Sequence, residues 1–247
     1  MGKRQIIPFG PQHPVLPEPI HLDLVLEDEK VVEAIPSIGF IHRGLEKLVE
    51  KKEFTEYVYV AERICGICSF MHGLGYCQAI ESIMEIQVPH RALFLRTIWS
   101  ELSRIHSHLL WLGLTADAFG FESLIMHTWR LREKILDIFE ATTGGRVIFS
   151  VCKIGGIRRD VDDATLVNIV KTLQEMQDEI RRYCDVFIED RSVKHRMVGV
   201  GTLSKEDAHE LGAVGPMMRA SGISQDIRLL GYAAYKELDL SLIHISE

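Results

Sequence analysis

The residues best suited to chemistry are two cysteines three positions apart, Cys65 and Cys68, with His72 four positions further on. Two thiolates at this spacing can face one metal ion, Gly66 permits a tight turn, and the N-terminus of a following helix stabilises negative sulfur. A closed zinc site needs four ligands, and the sequence has no second pair of this spacing. On spacing alone, a metal or redox site and two ordinary buried thiols both stay open.

The elements that would position these residues are mostly helical. A turn over 65–68 leads into a helix over 69–86, and Pro89 ends that helix and opens the next. The next helix, over about 90–114, has apolar residues three or four positions apart and is expected to be central. No βαβ pattern surrounds the cysteines, which disfavours a thioredoxin-like redox motif. Further helices are predicted after Gly44, over 54–63, over about 129–140 and over 164–187.

A small β element is predicted near the N-terminus. Residues 5–19 are rich in proline and predict an extended lead-in, whereas residues 21–26 alternate with apolar side chains as a strand does. A polar turn over 27–30 and a return strand over 31–34 complete a hairpin. The predicted fold class is therefore mainly α with a small N-terminal antiparallel β element (α+β). One domain is expected over residues 1–239, and residues 240–247, without a cap or stop signal, are interpreted as a non-native or frame-end tail.

Composition excludes several classes of protein. The formal net charge of -7 argues against a nucleic-acid binder, because such proteins carry a basic stripe. No uncharged apolar stretch has the length that a membrane-spanning helix needs, and no export signal is visible, so membrane attachment is expected to come through partners. Five cysteines are an odd count, which indicates a reducing compartment with thiol or metal chemistry.

Several other residues have ordinary structural interpretations. His106 and His108 lie two positions apart on one helix and are interpreted as satisfied polar contacts. Asp226 and Arg228 are interpreted as a surface ion pair of little energetic worth. The remaining cysteines have no ligand-like spacing and are expected to be small core residues: Cys77, Cys152 and Cys184.

Longer stretches carry a family resemblance: residues 9–14, 18–19, 42–47 and 63–68 with His72, and residues 215–223 with Asp226 and Arg228. The order and spacing of these stretches is similar to that in the active-site subunit of membrane-bound [NiFe] hydrogenases related to respiratory complex I, and in the homologous quinone-site subunit of complex I itself. The complex I branch has lost the cysteine pair, whereas this chain keeps it, which favours the hydrogenase. The resemblance implies a helical bundle like that of the [NiFe] hydrogenase large subunit.

The resemblance assigns roles to individual residues. It implies that Cys65 is a terminal nickel ligand and that Cys68 bridges nickel to an iron that also holds carbon monoxide and cyanide. Glu18 matches a carboxylate that passes protons near nickel, and Glu46 matches one that binds a structural magnesium ion in relatives. His72 matches a histidine that donates a hydrogen bond to sulfur.

The activity implied is reversible splitting of hydrogen, with protons and H2 as substrates and Glu18 as the proton relay. Electrons would leave through a small iron–sulfur subunit of the kind found in complex I, since this chain has too few cysteines to bind both the nickel–iron centre and an iron–sulfur cluster. Membrane subunits would hold the chain at the cytoplasmic face. The family's second cysteine pair is missing, so truncation is expected. Two alternatives stay open: a quinone-binding subunit without metal, and a non-catalytic assembly or scaffold subunit.

Overall fold

The computed structural model describes residues 4–14, 16 and 18–240. Its contacts group the chain into two compact units, Met1–Glu53 and Phe54–Glu247. The expectation of one domain over 1–239 stays a prediction. Of the predicted tail 240–247, all but Leu240 lies outside the described residues.

The first unit is built on a three-stranded antiparallel sheet with the order β1-β2-β3, followed by one short helix. Asp28 and Glu29, both with positive φ, form the turn between β2 and β3, so the predicted hairpin is confirmed. The first strand lies in the stretch that was expected to be only an extended lead-in. The elements are β1 (Arg4–Phe9), β2 (His21–Glu27), β3 (Lys30–Ser37) and α1 (Leu45–Val49).

In the part of the chain that the structure describes, the second unit is helical apart from one hairpin of two strands with two residues each. The prediction of a mainly helical fold with a small antiparallel sheet is thus confirmed. None of the described helices is long and apolar enough to cross a membrane. The elements are α2 (Tyr57–Glu62), α3 (Ser69–Ile83), α4 (His90–Ala118), α5 (Glu122–Thr143), β4 (Cys152–Lys153), β5 (Gly156–Ile157), α6 (Asp163–Glu189), α7 (Arg191–Met197), α8 (Lys205–Glu210), α9 (Gly215–Ala220) and two 3-10 turns, Ile227–Leu230 and Tyr235–Glu237.

The core of this unit forms where α4 packs against α5, with α3 and α6 alongside. Trp99 is buried at its centre and donates its indole N–H to Thr142 Oγ1 at 3.1 Å. Burial of these apolar side chains is the main favourable contribution to stability. Cys77 and Cys152 are buried in this core as predicted, whereas Cys184 is only half-buried. The large core side chains that are almost completely buried include Phe70, Leu74, Leu102, Leu109, Leu131, Ile135, Phe139 and Met176.

The prediction that Asp226 and Arg228 form a surface ion pair is wrong. Both residues are buried, and Arg228 donates to both carboxylate oxygens of Asp226, each at 3.0 Å. Arg219 donates to the same carboxylate at 3.0 Å, and Arg228 also reaches Glu101 on α4 at 3.3 Å. The pair therefore connects the C-terminal segment to the central helix.

Candidate metal site

The two cysteines of the motif lie in the loop over residues 63–68 between α2 and α3, which we call the cysteine loop. The backbone leaves α2 through tight hydrogen bonds, from Arg63 N to Val60 O at 2.9 Å and from Ile64 N to Ala61 O at 3.1 Å. Cys68 is then the N-cap residue of α3. The backbone N–H groups of Ile67 and Cys68 point at Cys65 Sγ, at 3.3 and 3.4 Å. Donors of this kind favour sulfur as a thiolate.

His72 completes the cluster from the first turn of α3. Its Nε2 lies 3.4 Å from Cys68 Sγ, because residues four apart share a helix face. The ligand atoms of Cys65, Cys68 and His72 all lie within 4.8 Å of one another, and the three residues are half-buried. This is the single such group of three or more metal-binding side chains among the residues that the structure describes. Two soft sulfurs and an imidazole suit nickel, zinc or iron.

The cysteine loop is supported from two sides. Ser107 Oγ on α4, whose hydroxyl donates to Ser103 O at 2.8 Å, also lies 3.4 Å from Ile67 O. On another side, Ser69 Oγ donates to Val147 O at 2.7 Å, and a Cβ at Gly66 would lie 3.8 Å from Val147 Cγ1. The loop over residues 145–150, which follows α5, therefore packs against the cysteine loop.

Glu18 and Glu46, the two carboxylates predicted to serve the site, belong to the first unit. Glu18 is exposed and lines a hollow of about 430 Å³ together with His13 and Leu16. Glu46 is exposed in the first turn of α1. Within the described residues, neither belongs to a group of three or more side chains placed to bind a metal. Their roles as proton relay and magnesium ligand stay predictions.

Comparison with known proteins decides the family. The profile of the respiratory-chain NADH dehydrogenase 49 kDa subunit matches residues 118–247, more than half of the chain. The chain belongs to this family. The nickel-dependent hydrogenase profile matches residues 43–115, a stretch that contains Glu46 and the cysteine cluster. The predicted resemblance to both branches is confirmed.

Individual relatives of this 49 kDa-family chain come from both branches. The membrane-bound hydrogenase subunit alpha of Pyrococcus furiosus is 40% identical, over 90% of this chain and 52% of that protein. An NADH-quinone oxidoreductase subunit of Chloroherpeton thalassium is 38% identical, over 98% of this chain and 55% of that protein. The chain thus spans about half the length of these relatives.

A solved structure shows the same fold. A chain in the structure of the membrane-bound sulfane sulfur reductase, an archaeal respiratory membrane complex, matches with a TM-score of 0.91 and 31% identity. The match covers 96% of this chain and 64% of that chain. The relatives and this neighbour are subunits of oxidoreductases, and two of the three are named as membrane-bound.

Two other cysteines of this family member, Cys77 and Cys152, are less suited to bind a metal than Cys65 and Cys68. Burial raises the pKa of the Cys77 thiol to about 12, and burial also raises the pKa of Cys152. Both stay protonated at neutral pH, and a protonated thiol is a poor metal ligand. None of the five cysteines forms a disulfide.

Glu62, the last residue of α2, was not predicted to be a site residue, and it is the most buried carboxylate near the cysteine loop. It is 0% exposed, and burial raises its pKa. Its Oε2 accepts hydrogen bonds from Ser150 N at 3.0 Å and Ser150 Oγ at 2.9 Å. One signal was present in the sequence: a single acid at the end of the apolar run Tyr57–Ala61, where the helix period places it on the buried side.

Proposed function

We propose that this chain is part of the catalytic subunit of a membrane-associated [NiFe] hydrogenase related to respiratory complex I. The observation that carries the proposal is the convergence of Cys65, Cys68 and His72 within 4.8 Å at the start of α3. The hydrogenase relatives and the nickel-dependent hydrogenase profile over this stretch support it.

The donor set fits half of such a centre. Cys65 and Cys68 supply two thiolate sulfurs, and backbone N–H groups stabilise the charge on Cys65. The 247 residues contain no second pair of this spacing, so two further thiolates would have to come from outside them. When bound, the nickel–iron centre supplies the metals on which hydrogen is split or formed. His72 Nε2 lies 3.4 Å from Cys68 Sγ. In the proposed site this nitrogen would donate a hydrogen bond to the sulfur and fix its orientation.

The remaining parts of the proposal concern protons, electrons and partners. Glu18 relays protons between the site and solvent, and Glu46 binds a structural magnesium ion. A small iron–sulfur subunit accepts the electrons, and membrane subunits hold the complex at the cytoplasmic face of the membrane. The relatives' membership of multi-subunit membrane complexes supports this arrangement.

Metal titration of the chain tests the site. Co2+ added to the reduced protein should give a thiolate-to-cobalt charge-transfer band, and Cys65→Ser or Cys68→Ser should abolish it. Cys184→Ser is the matched control, because Cys184 is equally half-buried on α6. A band that persists in both motif variants would remove the basis of the proposal.

A second candidate is a quinone-reducing subunit without metal. The 49 kDa profile over residues 118–247 and the relatives that are NADH-quinone oxidoreductase subunits favour it. Nickel analysis of the purified native complex separates the two functions, since only the hydrogenase should contain nickel and exchange deuterium gas with water. A nickel-free complex that reduces quinone would establish the second candidate, and one that releases sulfide from sulfane sulfur would contradict both.

A further inference from the structure

The carboxyl group of Glu62 occupies a space that the fold provides at one place on α3. A Cβ at Gly73 would lie 2.7 Å from Glu62 Cγ and 2.9 Å from Glu62 Oε1. Any residue other than glycine at this position would therefore displace the carboxyl group. Oε1 itself is buried and has no hydrogen-bond partner among the residues that the structure describes. A polar atom buried in this way costs free energy, so its retention calls for a compensating role.

Oε2 of the same carboxyl group fixes the 145–150 loop. Ser150 has a φ of 50°, a left-handed backbone conformation that residues other than glycine rarely adopt. Its N–H and its hydroxyl both donate to Glu62, so the bonds hold a strained residue in place. Three residues earlier in the loop, Val147 O accepts a hydrogen bond from Ser69 Oγ at 2.7 Å, and its Cγ1 lies 3.8 Å from the position that a Cβ on Gly66 would take. Glu62 and Ser69 thus anchor this loop on either side of the motif.

We propose that Glu62 is a positioning residue for the cysteine site: it anchors the 145–150 loop, and that loop fixes the cysteine loop. The role rests on the proposed function of Cys65 and Cys68 as metal ligands. In this role Glu62 orients the cysteine site and takes no part in the reaction.

The oxygen that Glu62 offers to Ser150 decides which variant preserves the role. Burial raises the pKa of Glu62, while Ser150 on the loop and the nearby cations Arg63 and Arg158 oppose the rise. The charge of Glu62 in turn helps to raise the pKa values of the buried thiols of Cys77 and Cys152. A carboxamide has the same length and keeps one side-chain oxygen, so Glu62→Gln should keep the acceptor for Ser150. Glu62→Ala removes it.

Alkylation of the cysteines tests the proposal without any metal. The rates for Cys65 and Cys68 with iodoacetamide are measured by mass spectrometry, with Cys184 as an internal reference. Glu62→Ala should raise both rates by about tenfold, because losing two hydrogen bonds increases local opening by about that factor. Glu62→Gln should stay close to the wild type. Gly73→Ala should reproduce the effect by displacing the carboxyl group, and the double variant Gly73→Ala/Glu62→Ala should be no worse than Glu62→Ala alone.

A matched control separates positioning from a general loss of stability. Ile169→Ala removes a buried core side chain of α6 and should lower stability without changing the two rates. Equal rates in Glu62→Ala and the wild type, or an equal rise in Ile169→Ala, would overturn the inference. Co2+ affinity of the same variants completes the test: if the wild type binds no Co2+, the proposed function fails, whereas the alkylation result still decides the role of Glu62.

Discussion

Nε2 of His72 lies 3.4 Å from Sγ of Cys68, a distance that suits a hydrogen bond to sulfur. If His72 only donates to the thiolate, His72→Ala should weaken Co2+ binding by about 10- to 100-fold and leave the charge-transfer band in place. If His72 is itself a ligand, the ligand-field bands of cobalt should shift as well. Absorption titration distinguishes these outcomes, and an unchanged affinity would show that His72 serves neither purpose.

Glu18→Gln tests the proton relay in the complete complex. The substitution keeps the size of the side chain and removes its ability to carry a proton, so nickel content should stay the same and hydrogen turnover should fall by about 100-fold or more. Nickel analysis and hydrogen evolution measure the two quantities. Glu33→Gln, which changes an exposed acid on β3 of the same unit, is the control. Unaltered turnover in Glu18→Gln would refute the relay.

Arg96 and Glu81 form a buried ion pair that connects α4 to α3 and to the β4–β5 hairpin. Arg96 donates to both oxygens of Glu81, at 2.9 and 2.6 Å, and to Gly156 O at 2.8 Å. Glu81 also accepts from Gly155 N at 2.7 Å. Glu81→Leu leaves the guanidinium group buried without its anion, so the free energy of unfolding should fall by about 3–5 kcal/mol.

Denaturant unfolding measures the contribution of this pair. The double variant Arg96→Leu/Glu81→Leu should lose less stability than Glu81→Leu, because no unpaired charge remains. The exposed pair of Arg91 and Asp160 is the control, and Asp160→Asn should have little effect. A double variant less stable than the single one would contradict this account.

The absence of a side chain at Gly113 on α4 lets α5 pack closely against α4 at this point. A Cβ at this position would lie 2.5 Å from Trp129 Nε1 and 2.9 Å from the buried Thr128 Oγ1. Gly113→Ala should therefore lower the free energy of unfolding by about 1–2 kcal/mol, although alanine is the better helix former. Gly75→Ala on α3 is the matched control: its Cβ would meet no described atom within 4 Å, and stability should rise by about 0.5–1 kcal/mol. Thermal unfolding of both variants gives the comparison, and a stabilised Gly113→Ala would contradict it.

Local sequence patterns predicted the helices in which apolar residues recur at regular spacing. The apolar spacing of α3, α4 and α6 gave helices close to the observed ones, but α5 was predicted over 129–140 and extends over Glu122–Thr143. Its early turns expose Met126 at 70%, which blurs the apolar stripe. β1 was missed because it contains Pro8, which a strand tolerates at a sheet edge, where β1 lies.

Contacts between distant residues could not be predicted in this way. Glu62 meets Ser150 from 88 positions away, and Glu101 meets Arg228 from 127 positions away. A carboxylate with such a partner looks like any solvated acid in the sequence. The cysteine cluster was predictable because its three residues share one turn and the start of one helix.

His106 makes stability depend on pH. It was expected to be a satisfied polar contact, but it is buried, its Nε2 accepts from Arg132 at 2.5 Å, and its Nδ1 has no partner in the described part of the chain. Burial, followed by the charge of Arg132, lowers the pKa of His106 to about 4. Between that value and the ordinary pKa near 6.5, the unfolded chain binds a proton that the folded chain does not.

Stability should therefore rise with pH across this interval and be lost as the pH falls from about 6.5 to about 4, by roughly 3 kcal/mol at most. Urea unfolding at a series of pH values measures the slope. His106→Gln keeps an acceptor for Arg132 and cannot titrate, so the difference between the two slopes isolates His106 from the other ionisable groups. Parallel slopes for the two proteins would show that the His106 ring takes up its proton equally well in the folded and unfolded chains.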